Sequence, residues 1–301
     1  MAIITPALIT SLRTGFSKAF QDALTATPTD WEKVATRVPS SSASNTYGWL
    51  GQFPSLREWV GDRVLKNMAA QAYQVQNKLF EGTVAVKRTD IEDDNVGIYT
   101  PLFAEMGRAA ATHPDQLVFG LLKTAHTVNC YDGQFFFDND HPVYPNVDGT
   151  GTATQVSNVQ AGTGAAWYLL DTSRALKPLI FQERTTPELE ALTSTQDEAV
   201  FMRDEYRYGI RYRCNAGLGF WQMAYKSQAD LTAANFNAAM AAMMSLKADG
   251  GRPLGIKPTV LVVPPSLRAA AIEIVKNERL ANGASNPNFG VVDLIVSPWL
   301  V

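Results

Sequence analysis

Apolar residues recur every fourth position near the start of the chain. Leu8, Leu12, Phe16 and Phe20 share one face, the spacing of an amphipathic helix. Thr5-Pro6 supplies its start, a capping hydroxyl before a proline at the first helical position. The pattern fades near Ala23, and residues 25–44 show no period at all. They are rich in Thr, Pro and Ser, with Trp31 as the one large anchor. So long a patternless stretch is unusual inside a domain, and predicts an extended arm laid on another surface.

The period then changes to two. Tyr73, Val75 and Leu79 alternate with Gln74, Gln76 and Lys78, and after Gly82 Val84 and Val86 alternate with Ala85 and Lys87. Such alternation predicts strands with one face covered. A ribbon this polar cannot bury itself, because an isolated hairpin is marginal. It is expected to lie against a neighbouring copy of the chain. Asp90, Glu92, Asp93 and Asp94 close the ribbon, and carboxylates suit a helix start. Ile98, Leu102, Met106 and Ala109 continue one helical face, and Leu117, Leu121 and Leu122 resume it to about Ala125. Thr100-Pro101 is a second possible start. His113-Pro114 interrupts the face, so the reading is one kinked helix or two end to end.

Residues 128–145 are turn-rich around Phe135, Phe136 and Phe137, which predicts a hairpin. Residues 146–164 read as a loop or a boundary. Short strands follow at 167–170 and 179–181. Tyr206, Tyr208, Ile210, Tyr212 and Cys214 alternate with Arg207, Gly209, Arg211 and Arg213, a strand apolar on one face and cationic on the other. A helix opens at Asp230 and stops at Gly250-Gly251. Val260 to Val263 is a buried strand, Ser266 starts another helix, and Val291 to Val296 is a last strand ended by Pro298.

The totals narrow the function. At ~150 residues per domain, 301 residues suggest about two domains. A net charge of −3 argues against a nucleic-acid binder working by bulk electrostatics. Two cysteines, Cys130 and Cys214, are too few for a disulfide framework and fit a reducing site of synthesis. The first residues lack a signal-peptide pattern, and no apolar run approaches the ~18 residues of a membrane span. Synthesis and folding in the cytoplasm are expected, with no membrane partner.

Candidate chemistry is thin. His126 and Cys130 stand four apart, yet a structural zinc site needs four ligands. Asp138, Asp140 and His141 resemble fragments of a metal-dependent hydrolase, but Asn-Asp-His-Pro is also an ordinary turn. Glu92, Asp93 and Asp94 have the helix-cap explanation. No G-x-S-x-G and no phosphate-cradling glycine loop occur. The Arg207, Arg211, Arg213 face could touch DNA, though such arginines more often pair with carboxylates of adjacent strands. No catalytic residue, metal or cofactor is expected. Apolar content without a site points to an assembly protein.

Four runs carry a resemblance. Glu58-Trp59-Val60-Gly61, Lys78-Leu79-Phe80-Glu81, Ile91-Glu92-Asp93-Asp94, and Tyr131-Asp132-Gly133-Gln134 with Asp140-His141-Pro142 occur in this order. Together they resemble the major head subunit of Mu-like tailed phages. The resemblance implies an α+β fold of the Hong Kong 97 capsid type. Its parts would be an N-terminal arm (1–44), an extended E-loop hairpin (45–93) and a P domain with a spine helix (94–164). An axial A domain (165–286) and a C-terminal strand returning to the P domain (287–301) would complete it. It further implies homo-pentamers and homo-hexamers forming an icosahedral head around double-stranded DNA, with a portal in place of one pentamer. Because the arm starts close to Met1, a separate scaffold protein is expected rather than a shed N-terminal segment. A decoration protein is a further partner open to it. Lys66, Lys78 and Lys87 are available for a covalent crosslink, but lysines in a ribbon more often guard a solvated edge.

On this reading Leu8, Leu12, Phe16, Phe20 and Trp31 would pack on an adjacent subunit. Arg57, Trp59 and Arg63 of the E-loop would meet a neighbour, with Glu92, Asp93 and Asp94 as acidic partners. The alternatives are another virion protein, decorating or portal-associated, and a hydrolase built on Asp138, Asp140 and His141.

Overall fold

Thr5 caps the first helix as its sequence predicts, its hydroxyl accepting the Leu8 N–H at 3.2 Å. Helix α1 runs Pro6–Ala26 in the computed structural model, which describes residues 4–48, 50, 73–93, 95–194 and 196–301. A one-turn helix α2 (Trp31–Val34) and strand β1 (Ala35–Pro39) follow. The stretch expected as an arm on another surface is therefore structured within its own chain. The side chain that organises it comes from far away. Asp115 accepts the N–H groups of Asp30 at 3.1 Å and Trp31 at 2.7 Å, satisfying donors that Asp30 does not cap with its own side chain.

Strand β2 (Ser44–Tyr47) pairs antiparallel with β3 (Tyr73–Gln76). Strand β4 (Lys78–Lys87) follows after Asn77. The break between the two alternating runs thus falls at Asn77, not at Gly82. Short helix α3 (Arg88–Glu92) leads through a 3-10 turn into α4 (Tyr99–Thr124). The second of the two predicted starts is the one used, and α4 carries Pro114 inside one unbroken helix. Proline removes one backbone hydrogen bond. Here Pro114 is buried and the next residue, Asp115, is anchored to α2, so packing outweighs that loss.

Beyond α4 come β5 (His141–Val143), β6 (Thr154–Val156) and β7 (Val159–Gln160). Strand β5 pairs with β6, so the predicted hairpin reaches into the stretch read as loop. Next are β8 (Trp167–Leu170), β9 (Leu179–Leu192), α5 (Glu198–Arg203) and β10 (Glu205–Leu218). The chain ends with β11 (Ala224–Ser227), α6 (Ala233–Met244), β12 (Val260–Val263), α7 (Arg268–Val275) and β13 (Asp293–Val296).

Two main sheets result, in the orders β1-β9-β10-β4 and β13-β12-β8-β11-β7. In the first, β10 is antiparallel to both neighbours, and β1 adds in parallel to β9 from Ala35↔Leu179. The polar ribbon β4 thus finds its partner in its own chain. Tyr206, Tyr208, Tyr212 and Cys214 of β10 are buried, and Val84 and Val86 lie opposite Tyr208 and Tyr206. In the second sheet, β8, β11 and β12 are buried along their whole length, which explains why β8 and β12 read as continuous apolar runs. The last strand pairs with β12. It therefore closes the sheet of the expected A domain rather than returning to the P-domain strands at 128–147. Conversely, β9 and β10, both inside 165–286, belong to the sheet that starts at β1.

Helix α4 joins two cores. Its first half places Tyr99 and Phe103 with Phe16, Ile91, Tyr206 and Tyr208. Its second half places Val118, Phe119 and Leu122 with Trp167, Phe181 and Trp221. Phe16 stacks on Phe103 at 4.4 Å and meets Tyr208 edge-on at 5.4 Å. Helices α1 and α4 touch closely at Gly107, where an added Cβ would stand 2.2 Å from the Phe20 carbonyl oxygen.

Two outcomes follow for the free subunit. Phe16→Ala is expected to cost about 3–5 kcal/mol of stability, read from urea unfolding. Gly107→Ala gains about 1 kcal/mol of helix propensity, but it forces two backbones apart at a typical cost of about 1–3 kcal/mol. A lower unfolding midpoint is expected, and an unchanged or higher one would contradict the close approach.

Candidate assembly surfaces

Of the apolar arm face, Phe16 and Phe20 are buried inside the chain, as is Trp31, whose ring lies 4.5 Å from Phe181. These three have almost no surface left to give a neighbour, which corrects their expected packing on an adjacent subunit. The physical reason is the length of α1: at 21 residues it covers its own sheet and α4. Leu8 and Leu12 stay half-buried at the margin of that core. Arg57, Trp59, Arg63, Lys66 and Asp94 lie outside the described residues.

Glu92 and Asp93 do not cap the spine helix. They stand at the C-terminal end of α3, where Glu92 accepts from Arg88 Nε at 3.2 Å. Arg88 also reaches Asp204 at 3.8 Å, tying α3 to the turn after α5. Asp204 itself has φ 52°, a left-handed conformation that Asp tolerates better than most residues. Asp93 is exposed, and Asp90 accepts the Tyr99 hydroxyl.

The cationic face of β10 is interleaved with carboxylates. Arg207 pairs with Glu205 at 2.7 Å, and the register sets Arg211 opposite Glu81 on β4 and Glu188 on β9. Such mixing favours sheet pairing over phosphate binding. Strand β4 is an edge of this sheet, and Lys78 and Lys87 stand at its two ends, both exposed. That is the placement expected of edge-guarding lysines.

Exposed apolar side chains occur on the short helix α5 between β9 and β10. Phe201 is 81% exposed and Met202 69%, with Leu192 exposed nearby in the chain. Leu79 is exposed on β4, and Ile98 and Leu102 at the start of α4. Sequence reasoning missed the Phe201-Met202 pair. Its signal was two large apolar residues inside a stretch otherwise reading as polar turn.

The hydrolase candidates separate. Asp138 accepts the N–H groups of Asn139 at 2.8 Å and Phe135 at 3.3 Å, so it closes its own turn. His126 is exposed beyond the end of α4, its Nδ1 3.1 Å from the Lys123 carbonyl oxygen. Cys130 lies past a 3-10 turn and an extended residue, so the two do not share a helix face. His141 instead meets Asp132, which the sequence reading passed over as part of a Tyr-Asp-Gly turn. Asp132 Oδ2 faces His141 Nδ1 at 2.8 Å, and Oδ1 accepts from Cys130 Sγ at 2.9 Å and from the Gln134 N–H at 3.1 Å. The buried His141 ring lies flat on Trp221, centroids 3.8 Å apart.

The three potential ligand atoms lie within 4.8 Å of one another. Both the thiol and the imidazole already address one carboxylate, and a structural zinc site needs a fourth ligand. Burial, with Asp132 alongside, pushes the Cys130 thiol far up, so it stays protonated. Burial acts to raise the Asp132 pKa, but hydrogen bonds from His141 and Cys130 prevail and hold it low. The group is a hydrogen-bonded clamp that ties the 130–135 turn to β5. Among the described residues no helix is long and apolar enough to cross a membrane.

Relatives resolve what the geometry leaves open. A family model described as the Mu-like prophage major head subunit gpT matches residues 9–300. The major capsid protein of Escherichia phage Mu is 51% identical, covering 99% of this chain and 100% of that protein. The Mu-like prophage FluMu major head subunit of Haemophilus influenzae is 48% identical, covering 96% of this chain and 95% of that one. Among solved structures, the chain of the bacteriophage JBD30 procapsid overlays with a TM-score of 0.87 at 63% identity, over 98% of this chain and 100% of that one. The chain of the JBD30 capsid overlays with a TM-score of 0.75 at 49% identity, over 100% of both. An α+β chain with a spine helix between two sheets, no catalytic centre among the described residues and apolar residues left in the open thus belongs to the Mu-like major head subunit family, capsid proteins of tailed phages with the Hong Kong 97-type fold and not enzymes.

Proposed function

We propose that copies of this chain assemble as pentamers and hexamers into the icosahedral head shell of a tailed phage, enclosing double-stranded DNA. The observation that carries this is the overlay on the JBD30 procapsid chain along nearly the whole length. The exposed Phe201 and Met202, adjacent in the chain, support it, since large apolar side chains left open to solvent suit an interaction site. A scaffold protein during assembly, a portal and DNA on the inner face are the partners this role brings. The JBD30 capsid is decorated with minor capsid protein trimers, and a decoration protein is proposed here on the same footing.

In this reading β2 and β3 form the base of the E-loop, and the sheet of β1, β9, β10 and β4 with α1 and α4 is the P domain. The sheet closed by β13, with α6 and α7, is the A domain. Leu8 and Leu12 remain contact candidates at the arm. Arg57 and Arg63 of one copy are proposed to face Asp93 of another, because Glu92 is already engaged by Arg88. The closer overlay on the procapsid than on the capsid chain favours reading this conformation as that of the shell before maturation.

Electron microscopy of the purified protein tests the role. Shells, rings or tubes are expected, and a monomer at every concentration would remove it. Phe201→Asp with Met202→Asp is expected to leave subunit stability within about 0.5 kcal/mol, as surface changes do, while shells fail to form. Heads of Asp93→Lys are expected to dissociate at lower denaturant than wild type, with the gap narrowing as salt rises. A gap indifferent to salt would refute the charge pairing.

A further inference from the structure

The β2–β3 pair stands apart from both main sheets, and among the described residues no strand ladder joins it to either. Two strands of four residues each are marginal on their own. The orientation of the pair therefore rests on side chains. Gln182 of β9 reaches both strands at once, and it is fully buried. Its Oε1 accepts the hydroxyl of Tyr47 on β2 at 2.8 Å. Its Nε2 donates to the Val75 carbonyl oxygen on β3 at 3.2 Å and to Asn77 Oδ1 at 2.8 Å. Asn77 is the single residue between β3 and β4. Its own Nδ2 donates to Ser40 Oγ at 2.8 Å and to the Ser42 carbonyl oxygen at 2.9 Å, just ahead of β2. Bonds from β10 go to β3: the Leu218 N–H donates to the Tyr73 hydroxyl at 2.9 Å, and Asn215 Nδ2 to the Gln76 carbonyl oxygen at 2.7 Å. One amide thus ties β2, β3 and the joint before β4 to the same point of β9.

Resting on the assembly reading above, we propose that Gln182 is a positioning residue for the contact between copies: its buried amide sets the angle at which the β2–β3 pair stands on the sheet of β1, β9, β10 and β4. The chain leaves β2 at Tyr47 and enters β3 at Tyr73, and these two residues face each other across the pair. Whatever lies between them starts from that pair, and an error of angle there grows with distance from it. The place requires an amide, which accepts one hydrogen bond and donates two. A carboxylate of the same shape keeps the acceptor for Tyr47 but has no donor for Val75 and Asn77, and it sets an oxygen against theirs. A buried polar network specifies one arrangement when every member is satisfied. The core around Phe16, Phe103 and Tyr208 lies in a separate cluster, so the angle can fail while the fold stands.

Distance measurement between two spin labels on the free subunit tests this. Thr46→Cys on β2 and Glu190→Cys on β9 carry the nitroxides; both positions are exposed, while Cys130 and Cys214 are buried. With Gln182 intact a narrow distance distribution is expected. Gln182→Glu is expected to widen it at least about twofold in a subunit that still folds. Without labels, Gln182→Glu is expected to raise the protein concentration for half-maximal assembly at least about tenfold, as when a tenth of the copies hold the competent orientation. Tyr47→Phe removes one bond to the same amide and keeps the ring, so a smaller change in the same direction is expected on both readouts. It carries the test should Gln182→Glu fail to fold. A distribution as narrow as that of the parent in the folded variants would overturn the proposal, whatever happens to the urea midpoint. So would a widened distribution with assembly at the wild-type concentration. Failure of the wild-type chain to assemble would instead strike the assembly reading, while the labels on the free subunit still report whether Gln182 sets the angle.

Discussion

Strand β10 is hydrogen-bonded along both edges, to β9 and to β4, and the rest of the fold depends on that. A strand fixed on both sides cannot slip by one residue without turning its tyrosines outward and its arginines inward. With the register locked, Tyr206, Tyr208 and Tyr212 must be covered, and α1 and α4 are the cover for the first two. Helices that share one narrow face must lie close together. Gly107 permits this by presenting no Cβ to the Phe20 carbonyl. The same helix α4 then continues over the second sheet, so the two sheets are linked by one rigid rod rather than by a flexible linker.

What remains outside this arrangement is small and dispersed. Arg211 of β10 faces carboxylates on both neighbouring strands, Arg207 pairs with Glu205, and the β4 edge carries a lysine at each end. The apolar groups left exposed include Phe201 and Met202 on α5, Ile98 and Leu102 at the start of α4, and Leu79 on β4. A subunit of this kind offers several modest apolar groups to solvent at once. Many weak contacts closed into a shell give strong cohesion through effective concentration rather than through any one strong pair.

Elements with strong local signals were legible in the chain. The Thr5 cap, the alternation of β10 and the apolar runs of β8 and β12 are local facts. What escaped was non-local. Strand β1 owes its existence to β9, and nothing within residues 35–39 announces that partner. The second half of β9, from Glu183 to Leu192, reads as polar because one of its faces is open. Pro114 sits in an unbroken helix because Asp115 is held by α2. Among the site residues, the buried fate of Phe16, Phe20 and Trp31 could not be separated from an inter-subunit role. An apolar stripe has the same spacing whichever surface covers it. Asp132 was hidden inside a turn motif, since its value comes from His141, distant in the chain and brought close by folding.

The parallel join of β1 to β9 also has a temporal side. The Lys177 N–H donates to Thr36 Oγ1 at 2.8 Å across 141 residues of chain. A nascent polypeptide leaving the ribosome cannot close its first sheet until more than half of it has been made, and the second sheet waits for β13 near the end. Topologies of this kind fold slowly. Any surface that depends on both sheets therefore forms only after translation is nearly complete.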